Sequence, residues 1–117
     1  MAAVDGRILT RGCNLLLESL AIQGQLSINQ FFSDDEKLES LRKQLRIPKS
    51  HVAIGYMPEI ILDFCAGVME EFGFLEREEM EPFERDETDT YELVATPMGL
   101  AFARRGHRLK LNCIHFW

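Results

Sequence analysis

The sequence predicts a mainly helical α+β fold, formed as a single domain over residues 1–117. Several segments repeat apolar residues every three or four positions, which is the period of a helix. Shorter segments in the second half alternate apolar and polar residues, which is the period of a strand. The chain has 117 residues, of which 46% are hydrophobic and 27% charged. A chain of this size and composition can bury one core without metal or disulfide support.

The first predicted helix spans residues 8–22 and is apolar on nearly all sides. One stripe at helical spacing consists of Leu9, Cys13, Leu16 and Leu20. Three further residues widen it, namely Leu15, Leu17 and Ile22. Because such a helix has too much apolar surface for one core face, we expect it to be buried on more than one side.

Two more helices are predicted in the middle of the chain, at 33–46 and 58–72. Ser33 and Glu36 have the spacing of a capping box at the start of the first. Pro58 suits the first position of the second, and Gly73 its stop. The apolar residues expected to form the core stripe of helix 58–72 are Ile60, Ile61, Phe64, Cys65, Val68, Met69 and Phe72.

Strand signals lie between and after these helices. Short strands are predicted at 26–28 and 52–54, and a hairpin, or wing, at 74–95. A fourth helix follows at 97–105, and residues 107–117 form a strand-like tail.

Two stretches carry a resemblance to a known fold. The run 57–77, which ends in EEFGFLER, resembles the recognition helix and the first wing strand of small winged helix-turn-helix regulators of the MarR and PadR families. YELVATPMG at 91–99 resembles their second wing strand and the helix after it. The resemblance covers roughly residues 8–105 and rests on the apolar pattern and two glycines. It implies a winged helix-turn-helix fold, here with an acidic wing, an additional C-terminal helix and the tail, and it implies DNA binding.

The charges oppose that implied DNA binding. Regulators of this kind contact bases and phosphates with Arg and Lys on the recognition helix and wing. Helix 58–72 instead has four acids and no Arg or Lys. Segment 76–92 has nine acids against Arg77 and Arg85. The acids expected to face a partner are Glu78, Glu79, Glu81, Glu84, Asp86 and Glu87. Because cationic contacts dominate affinity for DNA, these surfaces favour a partner with a basic surface.

DNA binding is the alternative function, and it needs other residues. The candidates are Lys49, His51, Arg104, Arg105, Arg108 and Lys110, most of them in the basic stretch 104–110. This basic cluster can contact either DNA or the acidic wing.

No enzyme, cofactor or metal site is predicted. The sequence lacks phosphate-cradling glycine loops, a nucleophile elbow and paired zinc-ligand spacing. Its three cysteines, Cys13, Cys65 and Cys113, are sparse and odd in number, which is typical of a reduced cytoplasmic protein. Cys13 and Cys65 lie on apolar stripes and are expected to be structural. A thiol-based redox sensor using Cys65 or Cys113 is a third, distant reading. No apolar run approaches the length of a membrane span.

The predicted function is therefore contact with proteins, in a regulatory or assembly role. The chain is expected to form a homodimer, to bind a protein partner, or both. Aromatic and aliphatic residues are enriched at the centres of interfaces, and symmetric dimers are the commonest assemblies. The residues expected at the interface are Leu15, Leu17, Ile114, Phe116 and Trp117.

Overall fold

The computed structural model describes residues 3–50, 57–79, 91–105 and 113–115, with side chains for 6–50, 57–78 and 91–105. The chain is a mainly helical α+β protein, as the sequence predicted. Its helices are α1 (Gly6–Gln23), α2 (Asp35–Leu45), α3 (Pro58–Glu71) and α4 (Pro97–Arg104), with a 3-10 turn at Ile28–Phe31. Its strands are β1 (Ala3–Asp5), β2 (Gln25–Ser27), β3 (Leu75–Glu79), β4 (Tyr91–Ala95) and β5 (Cys113–His115).

The strands form two antiparallel sheets. The three-stranded sheet has the order β2-β4-β3, so β4 is central and joins the first half of the chain to the second. Leu26 and Arg77 both stand opposite Leu93 of β4. The second sheet pairs β1 with β5, with Val4 opposite Ile114.

The core lies where α1 packs against α2, α3 and α4. Leu9, Leu16, Leu45, Ile61 and Leu62 are among the side chains fully buried there. The sheet adds Leu26, Leu75 and Leu93 to the same cluster. Helix α1 is thus buried on more than one side, which confirms the expectation from its wide apolar stripe.

Two residues of that stripe are placed differently from the prediction. Ile22 is 86% exposed near the end of the helix at Gln23, although Leu20 two residues earlier is buried. Leu17 is only 3% exposed and packs in the chain's own core. Since a side chain buried in the chain's own core cannot contact a second protein, the prediction of Leu17 as an interface residue is wrong.

Helix α2 begins later than predicted, and its cap is Asp34, not Ser33. The Asp34 Oδ1 accepts a 2.8 Å hydrogen bond from the Lys37 backbone N–H, a donor in the first turn that has no partner within the helix. The Ser33 hydroxyl instead accepts from Lys37 Nζ at 3.1 Å. The predicted capping box is therefore wrong. At the other end Arg46 adopts a left-handed backbone with φ of 56° and stops the helix.

Helix α4 is fastened to the turn between α3 and β3. Gly73 ends that turn with φ of 79°, in the region that favours glycine. Thr96 accepts a hydrogen bond from the Gly99 N–H and donates one to the Gly73 carbonyl at 2.6 Å. A Cβ on Gly99 would lie 2.0 Å from the Phe74 carbonyl oxygen, so only glycine permits this approach.

The other predicted elements differ mainly at their ends. The strand expected at 26–28 is β2, and Ile28 already belongs to the 3-10 turn. The hairpin of 74–95 has β3 and β4 as its strands, whereas its connection, 80–90, lies outside the described residues. The strand predicted at 52–54 also lies outside them. Of the tail, β5 is described, and its partner β1 was not predicted because three residues are too few to show a period.

Candidate functional site

The outward side of α3 and the adjoining strand β3 form the candidate site. Helix α3 starts at Pro58. Proline suits this first position because a backbone N–H there would have no hydrogen-bond acceptor within the helix. Its inner side buries Ile61, Leu62, Cys65 and Met69. The opposite side therefore faces away from the core.

A polar network fastens this helix to the wing strands. The Tyr91 hydroxyl on β4 donates a hydrogen bond to the Asp63 carboxylate on α3. Arg77 on β3 donates to Glu70 Oε1 on α3, from Nε at 3.2 Å and from Nη2 at 2.9 Å. The Arg77 guanidinium also lies 5.4 Å from the centre of the Tyr91 ring, within the range of a cation–π contact. The network fixes the positions of β3 and β4 relative to α3.

Beside this network lies a groove of about 390 Å³, here called the acidic groove. Its apolar floor is made by Phe64, Gly67 and Val68 of α3. Its rim carries four charged side chains: Asp63, Glu70, Glu71 and Arg77. Three carboxylates against one guanidinium make the rim negative.

The network also shifts the pKa of three of its members. The hydrogen bond from Arg77 lowers the pKa of Glu70, so this carboxylate stays charged to a lower pH than an ordinary glutamate. The same bond raises the pKa of Arg77. Burial, followed by the bond to Asp63, raises the pKa of Tyr91 and keeps its phenol neutral. The groove's guanidinium is already paired, which leaves it less available to an incoming phosphate.

Of the six acids predicted to face a partner, the structure describes the side chain of one. Glu78 is exposed on β3. Glu79 is in the same strand, with no side-chain description, while Glu81, Glu84, Asp86 and Glu87 lie outside the described residues. The sequence missed Asp63, Glu70 and Glu71 as members of a groove, because it could not show which side of α3 faces the core.

The basic candidates for DNA contact are described only in part. Lys49 is exposed after α2, and Arg104 and Arg105 are exposed at the end of α4. The other three, His51, Arg108 and Lys110, lie outside the described residues.

Of the predicted interface residues, Leu15 is half-buried and lines a shallow groove between α1 and α2. The backbone of Ile114 is in β5, but its side chain is not described, and Phe116 and Trp117 lie outside the described residues. The exposed apolar residues that the structure reveals are others: Ile22, Met57, Ile60, Phe72 and Met98. Ile60 and Phe72 were predicted to be in the core. The apolar pattern of 58–72 covers more than one face of the helix, and this is the signal that some of its apolar residues lie outside the core.

Cys13 and Cys65 are both fully buried between α1 and α3, as predicted. The Cys65 thiol lies 3.5 Å from the Leu9 carbonyl oxygen. A hydrogen bond with the Cys13 thiol, together with burial, raises the pKa of Cys65. A buried thiol that holds its proton is a poor nucleophile, so the geometry does not favour Cys65 as a redox sensor. Within the described part of the chain, no three His, Cys, Asp or Glu side chains are grouped to hold a metal ion.

No protein-family model, curated protein or solved structure matches this chain. Among the described residues, no helix combines the length and the apolar character needed to cross a lipid bilayer.

Proposed function

We propose that this chain is a non-enzymatic protein-contact module that binds a basic segment of a partner protein in the acidic groove. The observation that carries the proposal is the composition of that groove. Its rim has three carboxylates, and the one guanidinium among its lining residues is paired with Glu70. The floor of Phe64, Gly67 and Val68 suits the aliphatic stems of Lys and Arg, which cover apolar surface while their charged ends stay in water.

The proposed setting is a winged-helix-like domain in the cytoplasm, acting in regulation or assembly. The strand order β2-β4-β3 and the position of α3 before the β3–β4 pair are compatible with that layout. In a winged helix, α3 would be the helix presented to DNA. Here the described outward side of α3 is acidic, which supports a basic protein segment over a phosphate backbone.

The test compares a peptide with DNA on the same protein. Fluorescence anisotropy at about 50 mM salt, which favours electrostatic association, measures binding of a labelled Lys/Arg-rich peptide, of its Glu-substituted counterpart and of random duplex DNA. We expect binding of the basic peptide alone. Glu71→Lys should weaken it by roughly five- to tenfold, which corresponds to about 1–1.4 kcal/mol. Glu39→Lys on α2, with the same change in net charge, should leave it unchanged.

The DNA-binding alternative predicts the opposite result. Submicromolar binding of the duplex, lost when Arg104, Arg105, Arg108 and Lys110 are all replaced by Ala, would make the chain a regulator that holds DNA with its last helix and tail. The homodimer is tested separately by sedimentation equilibrium on the free protein.

A further inference from the structure

Gly67 lies in the middle of α3, where glycine disfavours the helix. Two other helical glycines are needed by the chain's own packing. A Cβ on Gly12 would lie 2.5 Å from the Cys65 Sγ, and one on Gly99 would lie 2.0 Å from the Phe74 carbonyl oxygen. At Gly67 the nearest atom to such a Cβ is Arg77 Nη2, at an ordinary contact distance of 3.9 Å. The packing of the described residues therefore leaves room for a side chain at 67.

Apolar side chains lie around this glycine on the outward side of the helix. Met57 and Ile60 are each 41% exposed, and Phe64 and Val68 are partly buried. Ile60, Phe64 and Val68 are spaced four apart and so share one side of α3. Met57 is the residue just before the helix, at its N-cap position. These four residues are here called the outer stripe. The carboxylates of Asp63 and Glu70 flank the stripe, and that of Glu71 follows it.

We infer that the outer stripe docks a basic amphipathic helix of a partner protein, with its closest approach at Gly67. The inference rests on the proposed function and names the occupant of the groove. A helix that binds in a groove makes contact through apolar side chains spaced three or four residues apart, which is the spacing of the outer stripe. A glycine at the crossing point lets two helix backbones approach, and the flanking carboxylates pair with Lys or Arg beside the partner's apolar stripe.

An extended peptide fits these features less well. An extended segment gains affinity from backbone hydrogen bonds to a strand edge. The outer stripe belongs to a helix, whose backbone groups hydrogen-bond to one another and are not available to an extended peptide. It can contact a partner only through its side chains and through the space left at Gly67. Duplex DNA fits the outer stripe least well, because its phosphates would lie against carboxylates and apolar side chains.

The test separates stability from binding at one position. The variants are Gly67→Ala and Gly67→Leu, with Ala101→Leu on an exposed position of α4 as the control for added bulk. The probe is a fluorescein-labelled 18-residue Leu/Lys peptide that forms an amphipathic helix. A peptide of the same composition, scrambled and interrupted by proline, is the non-helical comparison.

We expect Gly67→Ala to raise the melting temperature, since alanine favours the helix and meets no close atom. The same variant should weaken binding of the helical probe several-fold, and Gly67→Leu should weaken it at least tenfold. Ala101→Leu should leave binding unchanged, and the wild type should bind the helical probe at least tenfold more tightly than the scrambled one.

Four results would overturn the inference. A lower melting temperature for Gly67→Ala would mean that the chain's own fold requires the glycine. A higher melting temperature with unchanged binding would mean that no helix approaches there. Equal binding of both peptides, lost in Glu71→Lys, would contradict the helical occupant and leave the proposed function intact. Failure of both peptides to bind would contradict both the inference and the proposed function.

Discussion

Gly12 of α1 and Cys65 of α3 are in such close contact that a Cβ on Gly12 would lie 2.5 Å from the Cys65 Sγ. Both residues are buried where the two helices pack. We expect Gly12→Ala to lower the free energy of unfolding by about 1–3 kcal/mol, the usual cost of overpacking a core, although alanine favours a helix. Urea denaturation followed by circular dichroism measures the change.

The partner substitution provides the control for Gly12→Ala. Cys65→Ala removes the clashing sulfur. The next nearest atoms to the new Cβ, Leu45 Cδ2 at 3.4 Å and the Cys65 Cβ at 3.6 Å, lie at ordinary contact distances. The double variant should therefore be more stable than the sum of the two single changes predicts, with a coupling of about 0.5–3 kcal/mol. Strict additivity would show that the two side chains do not compete for the same space.

The two buried cysteines should resist a thiol reagent in the folded protein. Replacing Cys113 by Ala leaves Cys13 and Cys65 as the only thiols in the sequence. Because both are fully buried and the pKa of Cys65 is raised, labelling with 5,5′-dithiobis(2-nitrobenzoate) at pH 8 should be as slow as unfolding. Fast labelling without denaturant would contradict this. Because the folded state binds the Cys65 proton more tightly than the unfolded state, the free energy of unfolding should fall as pH rises above the ordinary thiol pKa.

Tyr91 should ionise only at strongly alkaline pH. Burial, together with the hydrogen bond to Asp63, raises its pKa. In a Tyr56→Phe variant Tyr91 is the one tyrosine left, so absorbance at 295 nm reports it alone. We expect no tyrosinate signal near pH 10, where an ordinary tyrosine is half ionised. Since the folded state binds this proton more tightly than the unfolded state, the free energy of unfolding should fall as pH rises above about 10. A normal titration at pH 10 in the folded protein would show that Tyr91 is neither buried nor bonded to Asp63.

The hydroxyl of Thr96 should be required to hold α4 in place. It accepts from the Gly99 N–H at 3.0 Å and donates to the Gly73 carbonyl at 2.6 Å. Thr96→Ala should cost about 1–2 kcal/mol of unfolding free energy, as the loss of a helix cap does. Thr96→Ser retains the hydroxyl and should cost much less. Equal losses in the two variants would assign the effect to the methyl group instead.

The periodic segments were predictable, and their ends less so. Helix α1 and strand β4 follow from the spacing of their apolar residues, because burial on one side imposes a period. The start of α2 was mispredicted because Ser33 and Asp34 can each cap a helix, and only the folded chain shows whether the hydroxyl or the carboxylate accepts from the free N–H groups. Strand β1 could not be predicted, since it depends on pairing with β5 more than a hundred residues away.

The candidate site was predictable in its charge but not in its shape. The excess of acids on α3 and the wing is visible in the sequence. The outward placement of Ile60 is not, because α3 is apolar on most sides and the period alone does not tell which side the core takes. The same ambiguity placed Leu17 at an interface, where the structure buries it in the core.

The position of β4 between β2 and β3 sets an order for the formation of the sheet. β3 reaches β4 through one connection, residues 80–90, whereas residues 28–90, with α2 and α3, separate β2 from β4. Closing the longer loop costs more chain entropy, so the local β3–β4 pair forms with the smaller penalty. We therefore expect β2 to pair with β4 after β3 has done so, and the kinetics of its pairing to report a later stage of folding than those of the β3–β4 pair.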